Sequence, residues 1–282
     1  MKIAVVNSRT SLIIENRIVD VEEASRGDLS ADPIRMFDQW AALSALAGSG
    51  IALTGMPEAD ESAMQLPQPM PVQAFGIGLN YADHAEESGL DLPAAPLVFP
   101  KFSSSIVGPD AVLRLSSETV DWEAELVVVI GVDCFDVEVD DAWSVVAALT
   151  VGQDISDRVV QFEGGANPQF GLGKSAPGFG PIGPWLVSVD EFALETLALD
   201  ISCTLNGETK QSSNTSNLIF DVPTLVSYLS KRVELKAGDI IFTGTPSGIG
   251  WGRTPKELLA PGDVLETTIE GIGTLRTVVA AR

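Results

Sequence analysis

The 282-residue chain is poor in histidine, cysteine and basic residues: it has one histidine, two cysteines and 17 basic residues against 39 acidic ones. Because His84 is the single histidine, a zinc site of three histidines and an iron site of two histidines and a carboxylate are excluded. Any Ser-His-Asp mechanism would have to use this residue. Cys134 and Cys203 fit no C-x-x-C pattern, so we expect two buried apolar residues rather than a disulfide or a zinc site.

The shortage of basic residues gives a formal net charge of -22. Such a charge opposes phosphate backbones and anionic lipid surfaces, so neither nucleic acid nor membrane is an expected partner. It also repels a small anionic metabolite. A site for one therefore needs a local cation, which is either a metal ion or a few placed arginines and lysines.

Long apolar runs are absent too. The longest, Ala124–Val132 and Val145–Val151, fall short of the roughly 18 residues that indicate a membrane span. The opening residues MKIAVVNSRT lack the apolar stretch of a secretory signal, so we expect a soluble, cytoplasmic protein. The length and the 45% hydrophobic content allow one large domain and a smaller one.

A proline-rich and acidic stretch, Met56–Val72, suits neither a helix nor a central strand. We interpret it as a linker whose proline-rich part is 67–73. It separates a small N-terminal α/β domain at 1–66 from a catalytic domain at 74–282. The first domain is predicted to contain strands at Lys2–Val6 and Ser11–Ile14 and a helix at Pro33–Ala47, begun by Asp32 and ended by Gly48.

The larger domain contains many short β-branched runs separated by glycine and proline, which predict strands. The clearest are Leu126–Val132, Gly183–Val189, Leu199–Leu205, Asp239–Thr243 and Val264–Glu270. One late helix, Val222–Leu229, has Asp221 as its cap and Pro223 in its first turn. The predicted fold class is therefore α+β, mainly β.

Two carboxylates stand at the start of an apolar strand in VDWEAELVVVIG. Glu123 and Glu125 are two residues apart, so both side chains leave the same face of the strand. Their repulsion is relieved by a cation, and hard oxygen ligands favour Mg, Mn or Ca. The alternative is a solvated strand entrance with two exposed glutamates.

In GQDISDRVVQFE, the spacing of Asp154, Arg158 and Gln161 places the three on one stripe of a helical turn. Asp154 could complete a carboxylate set for a metal, with Arg158 and Gln161 beside it to hold a substrate carboxylate. An ion pair on a surface helix is the alternative, and the spacing alone leaves both open.

His84 is followed three residues later by Glu87, which is close enough for the carboxylate to orient the imidazole as a general base. A structural or merely exposed histidine remains the alternative. Lys174 lies in FGLGKSAPGFGP, where glycine and proline fix a tight backbone, and a partly buried lysine can stabilise an enolate. Neither GKS nor GIGLNY completes a nucleotide-binding motif, and TGTPSGIG is predicted to be a turn with an exposed Thr245.

Seven segments follow, in order, the pattern of the fumarylacetoacetate hydrolase family, which the chain resembles from about Phe75 to the C-terminus. They are GLNYADHAEE, VFPKFSSSIVGP, VDWEAELVVVIG, QDISDRVVQ, LGKS, LNGETKQSSNTSNLIFDVPTLVSYLS and GDIIFTGTPSGIG. The N-terminal domain matches only weakly. The resemblance implies a mixed β-sandwich roll, usually a homodimer.

The resemblance also implies the site. A Mg²⁺ or Mn²⁺ ion, with Ca²⁺ as a further candidate, is held by the residues that match the family's ligands, Glu123, Glu125 and Asp154. It binds the 2-oxo acid end of a small anionic substrate. The substrate-binding residues are Arg158, Gln161 and Thr245, and Lys174 is catalytic.

In members that hydrolyse a carbon-carbon bond, a pair matching His84 and Glu87 activates water on a mobile segment. The expected reaction is hydrolysis of a 2,4-dioxo acid of the acylpyruvate type, as in aromatic compound catabolism, releasing pyruvate and a carboxylic acid. Oxaloacetate decarboxylases, keto-enol isomerases and hydratases of the same family remain alternatives, as does a non-catalytic metal- or ligand-binding protein. Gly164–Leu172 is expected to line the distal pocket, while Lys101 and Ser103–Ser105 match the family without a derived role.

Overall fold

The computed structural model describes residues 1–61, 64–89 and 91–282. Within these residues, no helix combines the length and the apolar character needed to cross a membrane. In chain order the strands are β1 (Lys2–Val6), β2 (Arg9–Ile14), β3 (Arg17–Asp20), β4 (Ala74–Gly78), β5 (Leu97–Lys101), β6 (Ile106–Val107), β7 (Val112–Arg114), β8 (Val120–Asp121), β9 (Ala124–Ile130), β10 (Val146–Gln153), β11 (Ser156–Asp157), β12 (Gly180–Ser188), β13 (Asp200–Leu205), β14 (Glu208–Asn214), β15 (Ile240–Phe242), β16 (Val264–Ile269) and β17 (Gly273–Ala280).

The helices are short and lie between these strands. The α-helices are α1 (Val21–Ala24), α2 (Trp40–Ala47), α3 (Ala82–Ser88), α4 (Arg158–Phe162), α5 (Phe170–Gly173) and α6 (Val222–Ser230). Single 3-10 segments are Pro33–Arg35, Ser103–Ser105, Val139–Val145, Val189–Glu191, Leu194–Thr196 and Thr215–Asn217. Helix α6 begins as predicted, because the Asp221 side chain accepts a hydrogen bond from the backbone N–H of Thr224 at 2.9 Å.

The strands form two large sheets and one strand pair within the described part of the chain. The larger sheet has the order β3-β2-β1-β12-β10-β9-β15-β4-β5, with β6 paired to β12. A second sheet has the order β14-β13-β16-β17-β7, and β11 pairs with β8. The predicted α+β, mainly β class is confirmed, and each strand predicted in the larger domain is present with ends shifted by a few residues.

Strand β9 explains why the core could be recognised from the sequence. Leu126, Val128 and Ile130 face one apolar cluster. Val127 and Val129 face another on the opposite side of the sheet. A strand buried on both faces has a continuous apolar sequence rather than an alternating one.

The predicted N-terminal domain at 1–66 shares the large sheet, because β1 pairs with β12 through Lys2 and Ile3. The segment predicted as a linker packs along these strands: the Gln65 N–H donates to the Val5 carbonyl at 2.9 Å, and Met64 is fully buried. Residues 62 and 63 of this segment lie outside the described residues. The boundary at 67–73 stays a prediction.

The continuous helix predicted at Pro33–Ala47 is wrong. Asp32 caps only the single turn Pro33–Arg35, and α2 begins at Trp40. The interruption has a local cause, since the Gln39 side chain donates to the Ser30 carbonyl at 2.6 Å and accepts from the Ser30 N–H at 3.1 Å. These bonds tie Gln39 to the preceding loop in a non-helical conformation.

Candidate metal and substrate site

Three buried carboxylates form a cluster at the ends of β9 and β10, two central strands of the large sheet. Ligand oxygens of Glu123, Glu125 and Asp154 all lie within 4.8 Å of one another. The residues are 6%, 1% and 0% exposed, so the alternative of two solvated glutamates at a strand entrance is wrong. Carboxylate oxygens in this number and proximity are suitable ligands for a hard divalent cation.

Strand register brings the cluster together. Strands β9 and β10 are antiparallel, with Glu125 opposite Gly152 and Ala124 opposite Gln153. The beginning of β9 and the end of β10 therefore lie side by side, and Asp154 follows immediately after β10. Its backbone N–H donates to the Glu123 carbonyl at 2.9 Å, which fixes the two residues as neighbours.

The prediction that Asp154 shares a helical stripe with Arg158 and Gln161 is wrong. Asp154 lies between β10 and β11, and helix α4 begins only at Arg158. The chain stays extended here because Ser156 and Asp157 pair with β8. All three side chains are nevertheless buried in one network, so an ion pair on a surface helix is also excluded.

Two buried lysines neutralise part of this cluster. Lys174 Nζ lies 2.5 Å from Glu123 Oε2 and 2.8 Å from Asp154 Oδ2, and it donates to Ser156 Oγ at 2.8 Å. Lys101 Nζ lies 2.6 Å from Asp154 Oδ1 and also donates to the backbone carbonyl of Lys174. The two oxygens of Asp154 are thus each held by a different ammonium.

Arg158 binds the other side of Glu123. Its Nη2 lies 2.8 Å from Glu123 Oε1 and 2.7 Å from Asp121 Oδ2, and its Nη1 donates to Gln161 Oε1 at 2.9 Å. Asp121 also accepts from the N–H groups of Gly250, at 2.8 Å, and Trp251, at 3.0 Å. Asp121 therefore connects the guanidinium to the loop that carries Trp251.

The charges of the cluster move the pKa values of its acids in opposite directions. Burial opposes ionisation of Glu123, but the ammonium of Lys174 and the guanidinium of Arg158 lower its pKa to about 2. Burial, together with the carboxylates of Asp154 and Glu123, raises the pKa of Glu125 well above its ordinary value. Glu125 is thus the carboxylate whose charge is least compensated by the protein.

A count of formal charges in this network leaves an excess of one negative charge. The carboxylates are Asp121, Glu123, Glu125 and Asp154, and the cations are Lys101, Lys174 and Arg158, so three positive and four negative charges sum to -1. A divalent cation changes the sum to +1. A monoanionic ligand would then restore neutrality, which favours an anionic ligand beside a metal.

His84 and Glu87 lie on α3, next to this cluster. His84 Nδ1 lies 3.4 Å from Glu87 Oε2, and the two side chains are 12% and 29% exposed. Glu87 also accepts from the Gly248 N–H, with its two oxygens at 3.2 and 3.1 Å. His84 and Glu87 are therefore adjacent, as predicted, and the Glu87 carboxylate attaches α3 to the loop at Gly248.

The prediction of an exposed Thr245 is wrong, since the residue is 4% exposed. Its hydroxyl donates to the Ala124 carbonyl at 2.9 Å and accepts from Gln211 Nε2 at 2.8 Å. The preceding residue, Gly244, donates its N–H to Glu125 at 2.8 Å. The turn after β15 is thus attached to the start of β9 and orients Glu125.

A cavity of about 270 Å³ opens onto these groups. Its walls include His84, Glu123 and Lys174, together with Arg158, Gln161 and Thr245. The remaining lining residues are Ile77, Gly78, Leu79, Leu97, Phe162, Phe170, Ile249, Trp251 and Gly252. The segment Gly164–Leu172 is predicted to line the distal pocket, and its residue Phe170 is part of the described cavity wall.

The sequence model of the family described as Fumarylacetoacetate (FAA) hydrolase C-terminal matches residues 73–280. The chain belongs to the fumarylacetoacetate hydrolase family. The prediction of an enzyme of this family is therefore confirmed.

A 2,4-didehydro-3-deoxy-L-rhamnonate hydrolase of Sphingomonas sp. is 43% identical over 218 residues, which cover 75% of each chain. The mitochondrial oxaloacetate tautomerase of Rattus norvegicus is 42% identical over 211 residues, covering 74% of this chain and 66% of the rat protein.

Solved structures of the family have the same fold. One from Mycobacterium smegmatis, provisionally assigned as an HpcE protein, is 46% identical with a TM-score of 0.90 and covers 100% of this chain and 99% of its own. A maleylpyruvate hydrolase of Sphingobium sp., solved with manganese(II) and pyruvate, is 24% identical with a TM-score of 0.80, over 100% and 99% of the two chains. The second likeness establishes the fold alone.

Sequence reasoning missed two charged residues of this fumarylacetoacetate hydrolase family site. Lys101 was matched to a family segment without a role, yet it is 2% exposed and bonded to Asp154. Asp121 is absent from the predicted site, although it precedes Glu123 by two residues in the same extended run. The spacing of two residues could have identified Asp121 as part of the site, because it places this residue on the face that carries Glu123 and Glu125.

Proposed function

We propose that the protein is a divalent-metal-dependent hydrolase of a small 2,4-dioxo acid of the acylpyruvate type, releasing pyruvate and a carboxylic acid. The observation that carries the proposal is a single cavity containing a buried carboxylate, two cations and a histidine-carboxylate pair: Glu123, Lys174, Arg158 and His84 line it, and Glu87 lies beside His84. A relative at 43% identity bears the name of a hydrolase of a 2,4-didehydro acid, which supports this reaction class.

The residues present fit a divalent cation. Glu123, Glu125 and Asp154 would hold it, since they offer hard oxygen atoms within 4.8 Å of one another, and the raised pKa of Glu125 reflects negative charge that a cation relieves. We propose Mg²⁺ or Mn²⁺; the related maleylpyruvate hydrolase was solved with manganese(II). When bound, the ion supplies Lewis-acid polarisation of the 2-oxo group.

Substrate binding is assigned to the polar end of the cavity. Arg158 Nη1 donates to Gln161 Oε1, which fixes the amide so that Gln161 Nε2 is the donor for the substrate carboxylate. The positive charge of Arg158 favours an anion at the same place. The Thr245 hydroxyl donates its one proton to the Ala124 carbonyl and accepts from Gln211, so we assign Thr245 to shaping the cavity and not to donating to the ligand.

Water activation is assigned to His84. Glu87 beside Nδ1 favours the tautomer in which Nε2 is free to accept a proton from water. The resulting hydroxide adds to the C4 carbonyl of the substrate. When the C3–C4 bond breaks, C4 leaves as a carboxylic acid and the electron pair remains on the pyruvate fragment as an enolate.

Lys174 stabilises the enolate charge. Burial lowers the pKa of this ammonium, but the carboxylates of Asp154 and Glu123 outweigh that effect and raise it, so Lys174 stays protonated at neutral pH. A permanent cation lining the cavity is suited to an oxyanion that develops during bond cleavage. The proton held by His84 then returns to C3 and yields pyruvate.

Keto-enol tautomerisation is the second candidate, because a 42% identical relative bears the name oxaloacetate tautomerase. The same groups suffice for it: His84 would move a proton between C3 and solvent, and Lys174 would stabilise the enolate. Attack by water is then not required. The two functions differ in product, since only hydrolysis releases pyruvate.

We also propose a cytoplasmic homodimer, as the family resemblance implies. The free thiols of Cys134 and Cys203 are compatible with a reducing compartment. Exposed apolar side chains such as Ile34 and Val72, each 74% exposed, are available for an interface. Light scattering of the purified protein measures the oligomeric state directly.

The decisive assay is pyruvate release from acylpyruvates and from oxaloacetate, with Mg²⁺ or Mn²⁺ and with EDTA. Metal-dependent release from an acylpyruvate that is lost in His84→Ala supports the hydrolase. Release from oxaloacetate alone assigns a decarboxylase. Loss of the enol absorbance of oxaloacetate without pyruvate release assigns the tautomerase, and inactivity in every assay contradicts both proposed reactions.

A further inference from the structure

The lining of the cavity combines a compact charged group with many apolar side chains. The charged or titratable lining residues are neighbours: Lys174 Nζ and Arg158 Nη2 contact Glu123 at 2.5 and 2.8 Å, and His84 lines the same cavity. All of the charge on the described lining is therefore gathered around Glu123. A ligand anion is recognised there, and the rest of the ligand meets the remaining lining.

Most of the remaining lining consists of aliphatic and aromatic side chains, and we call this part the apolar wall. Phe162 stacks against Trp251 with ring centroids 6.4 Å apart, and Phe170 stacks against Phe99 at 5.6 Å. Leu97 and Phe162 are 44% and 43% exposed although they line the cavity. Apolar side chains left open in a cavity wall are stabilised when an apolar ligand covers them.

Among the described lining residues, the apolar wall contributes no cation of its own for a second carboxylate. Lys256 Nζ lies 3.0 Å from the centroid of the Trp251 ring, but Lys256 is not part of the described lining. A ligand carboxylate covering these apolar side chains would lose part of its hydration without gaining a charged partner from the described lining, which is unfavourable. An alkyl or aryl group would instead gain by burial.

We infer that the substrate is a monocarboxylate: a 2,4-dioxo acid whose acyl group is apolar and carries no second carboxylate. This inference rests on the proposed function and narrows its substrate class. The volume of about 270 Å³ restricts the acyl group to a small one, since pockets for drug-sized ligands measure roughly 300–1,000 Å³.

A matched pair of substrates tests the inference by kinetics. Hydrolysis of 2,4-dioxooctanoate consumes one water, breaks the C3–C4 bond and gives pyruvate and pentanoate. The diacid 2,4-dioxooctanedioate gives pyruvate and pentanedioate by the same step. We expect kcat/KM for the monoacid to exceed that for the diacid at least about tenfold, and to exceed that for 2,4-dioxopentanoate by about threefold or more. An equal or higher kcat/KM for the diacid overturns the inference.

Binding of compounds that lack the cleavable 4-oxo group separates this inference from the reaction itself. In calorimetry with Mn²⁺ present, 2-oxooctanoate should bind at least about tenfold more tightly than 2-oxooctanedioate. This result would support the substrate class even if no acylpyruvate were hydrolysed, in which case the proposed function alone fails. Equal affinities, tighter binding of the diacid or no binding of either acid would each overturn the inference.

A charge introduced in the apolar wall provides the reverse test. Leu97→Lys and Phe162→Lys each place an ammonium on a partly exposed position of the wall and should shift the kcat/KM ratio, or the affinity ratio of the 2-oxo acids, at least tenfold toward the diacid. Phe135→Lys is the matched control, since Phe135 is 62% exposed and outside the described lining. If both wall variants keep the parent ratio of kcat/KM or of affinity while remaining folded, the apolar wall does not select the acyl group.

Discussion

Lys101 and Lys174 hold opposite oxygens of Asp154, and the Lys101 ammonium also donates to the backbone carbonyl of Lys174. Lys101 therefore fixes both the proposed metal ligand and the lysine proposed to stabilise the enolate. Burial lowers the pKa of Lys101, and the carboxylate of Asp154 opposes that shift. The contacts of its ammonium with Asp154 and with the Lys174 carbonyl identify Lys101 as a positioning residue.

Replacing Lys101 with methionine should keep the alkyl volume and remove the charge. We expect the free energy of unfolding to fall by about 3 kcal/mol, because a buried ion pair loses one partner. We also expect kcat/KM to fall at least about tenfold, since Lys174 loses its support. Denaturant unfolding and steady-state kinetics measure the two effects. Lys236→Met is the control. The Lys236 side chain is 38% exposed in its ion pair, so this change should alter neither the free energy of unfolding nor kcat/KM appreciably.

Metal binding should stabilise the folded protein measurably. With Mn²⁺ at about 100 times its Kd, we expect the Tm to rise by about 5–10 °C relative to EDTA. Glu125→Gln should lose most of this increase, because it removes a ligand and the negative charge that the ion relieves. Glu234→Gln, at a side chain that is 57% exposed, should keep it. A Tm that does not respond to metal in the parent protein would contradict the metal site.

The alternation of β9 made part of the site predictable. Two glutamates separated by one residue had to share a face, and the structure places Glu123 and Glu125 together. Arg158 and Gln161 were also predictable as neighbours, because residues three apart in a helix lie on the same side. In the structure, Arg158 Nη1 donates to Gln161 Oε1. Both predictions rest on periodicity, which is a local property.

The remaining features depend on contacts distant in sequence. Asp154 was assigned to a helix because its spacing from Arg158 fits one, but pairing of Ser156 and Asp157 with β8 keeps the chain extended. Lys101 reaches Asp154 across 53 positions of the chain. Thr245 looked like an exposed turn residue, and only the approach of Ala124 and Gln211 buries its hydroxyl.

Asp20 provides a test of pH dependence away from the site. Its carboxylate binds Arg9 Nε at 2.6 Å and caps α1 by accepting from the Glu23 N–H at 3.0 Å. The hydrogen bond from Arg9 is the largest cause that lowers the pKa of Asp20 below its ordinary value of 3.8. A lowered pKa means that the stabilisation is complete above about pH 3.8 and is lost as the pH falls through the lower, folded-state value.

Asp20→Ala should therefore reduce the free energy of unfolding at pH 7 by about 1 kcal/mol, mainly through the lost cap. The difference in unfolding free energy from the parent protein should narrow as the pH falls below about 3.8, because Asp20 is protonated first in the unfolded chain and, at its lower pKa, in the folded protein. Urea unfolding across this pH range measures it. Asp38→Ala, whose side chain is 61% exposed, should show little difference at any pH, and a gap that widens on acidification would contradict the assignment.

Gly173 allows Lys174 to approach the cluster. A Cβ built on Gly173 would lie 2.7 Å from the Cα and 2.8 Å from the backbone N of Gln161, so α4 and α5 could not keep their present separation. Gly173→Ala should displace Lys174 and Gln161 together and reduce kcat/KM at least about tenfold, with a loss of unfolding free energy of roughly 1–3 kcal/mol. Gly48→Ala is the matched control, because its nearest contact would be 3.8 Å and its φ is -84°. Parent-like activity in Gly173→Ala would show that this close approach does not position the lysine.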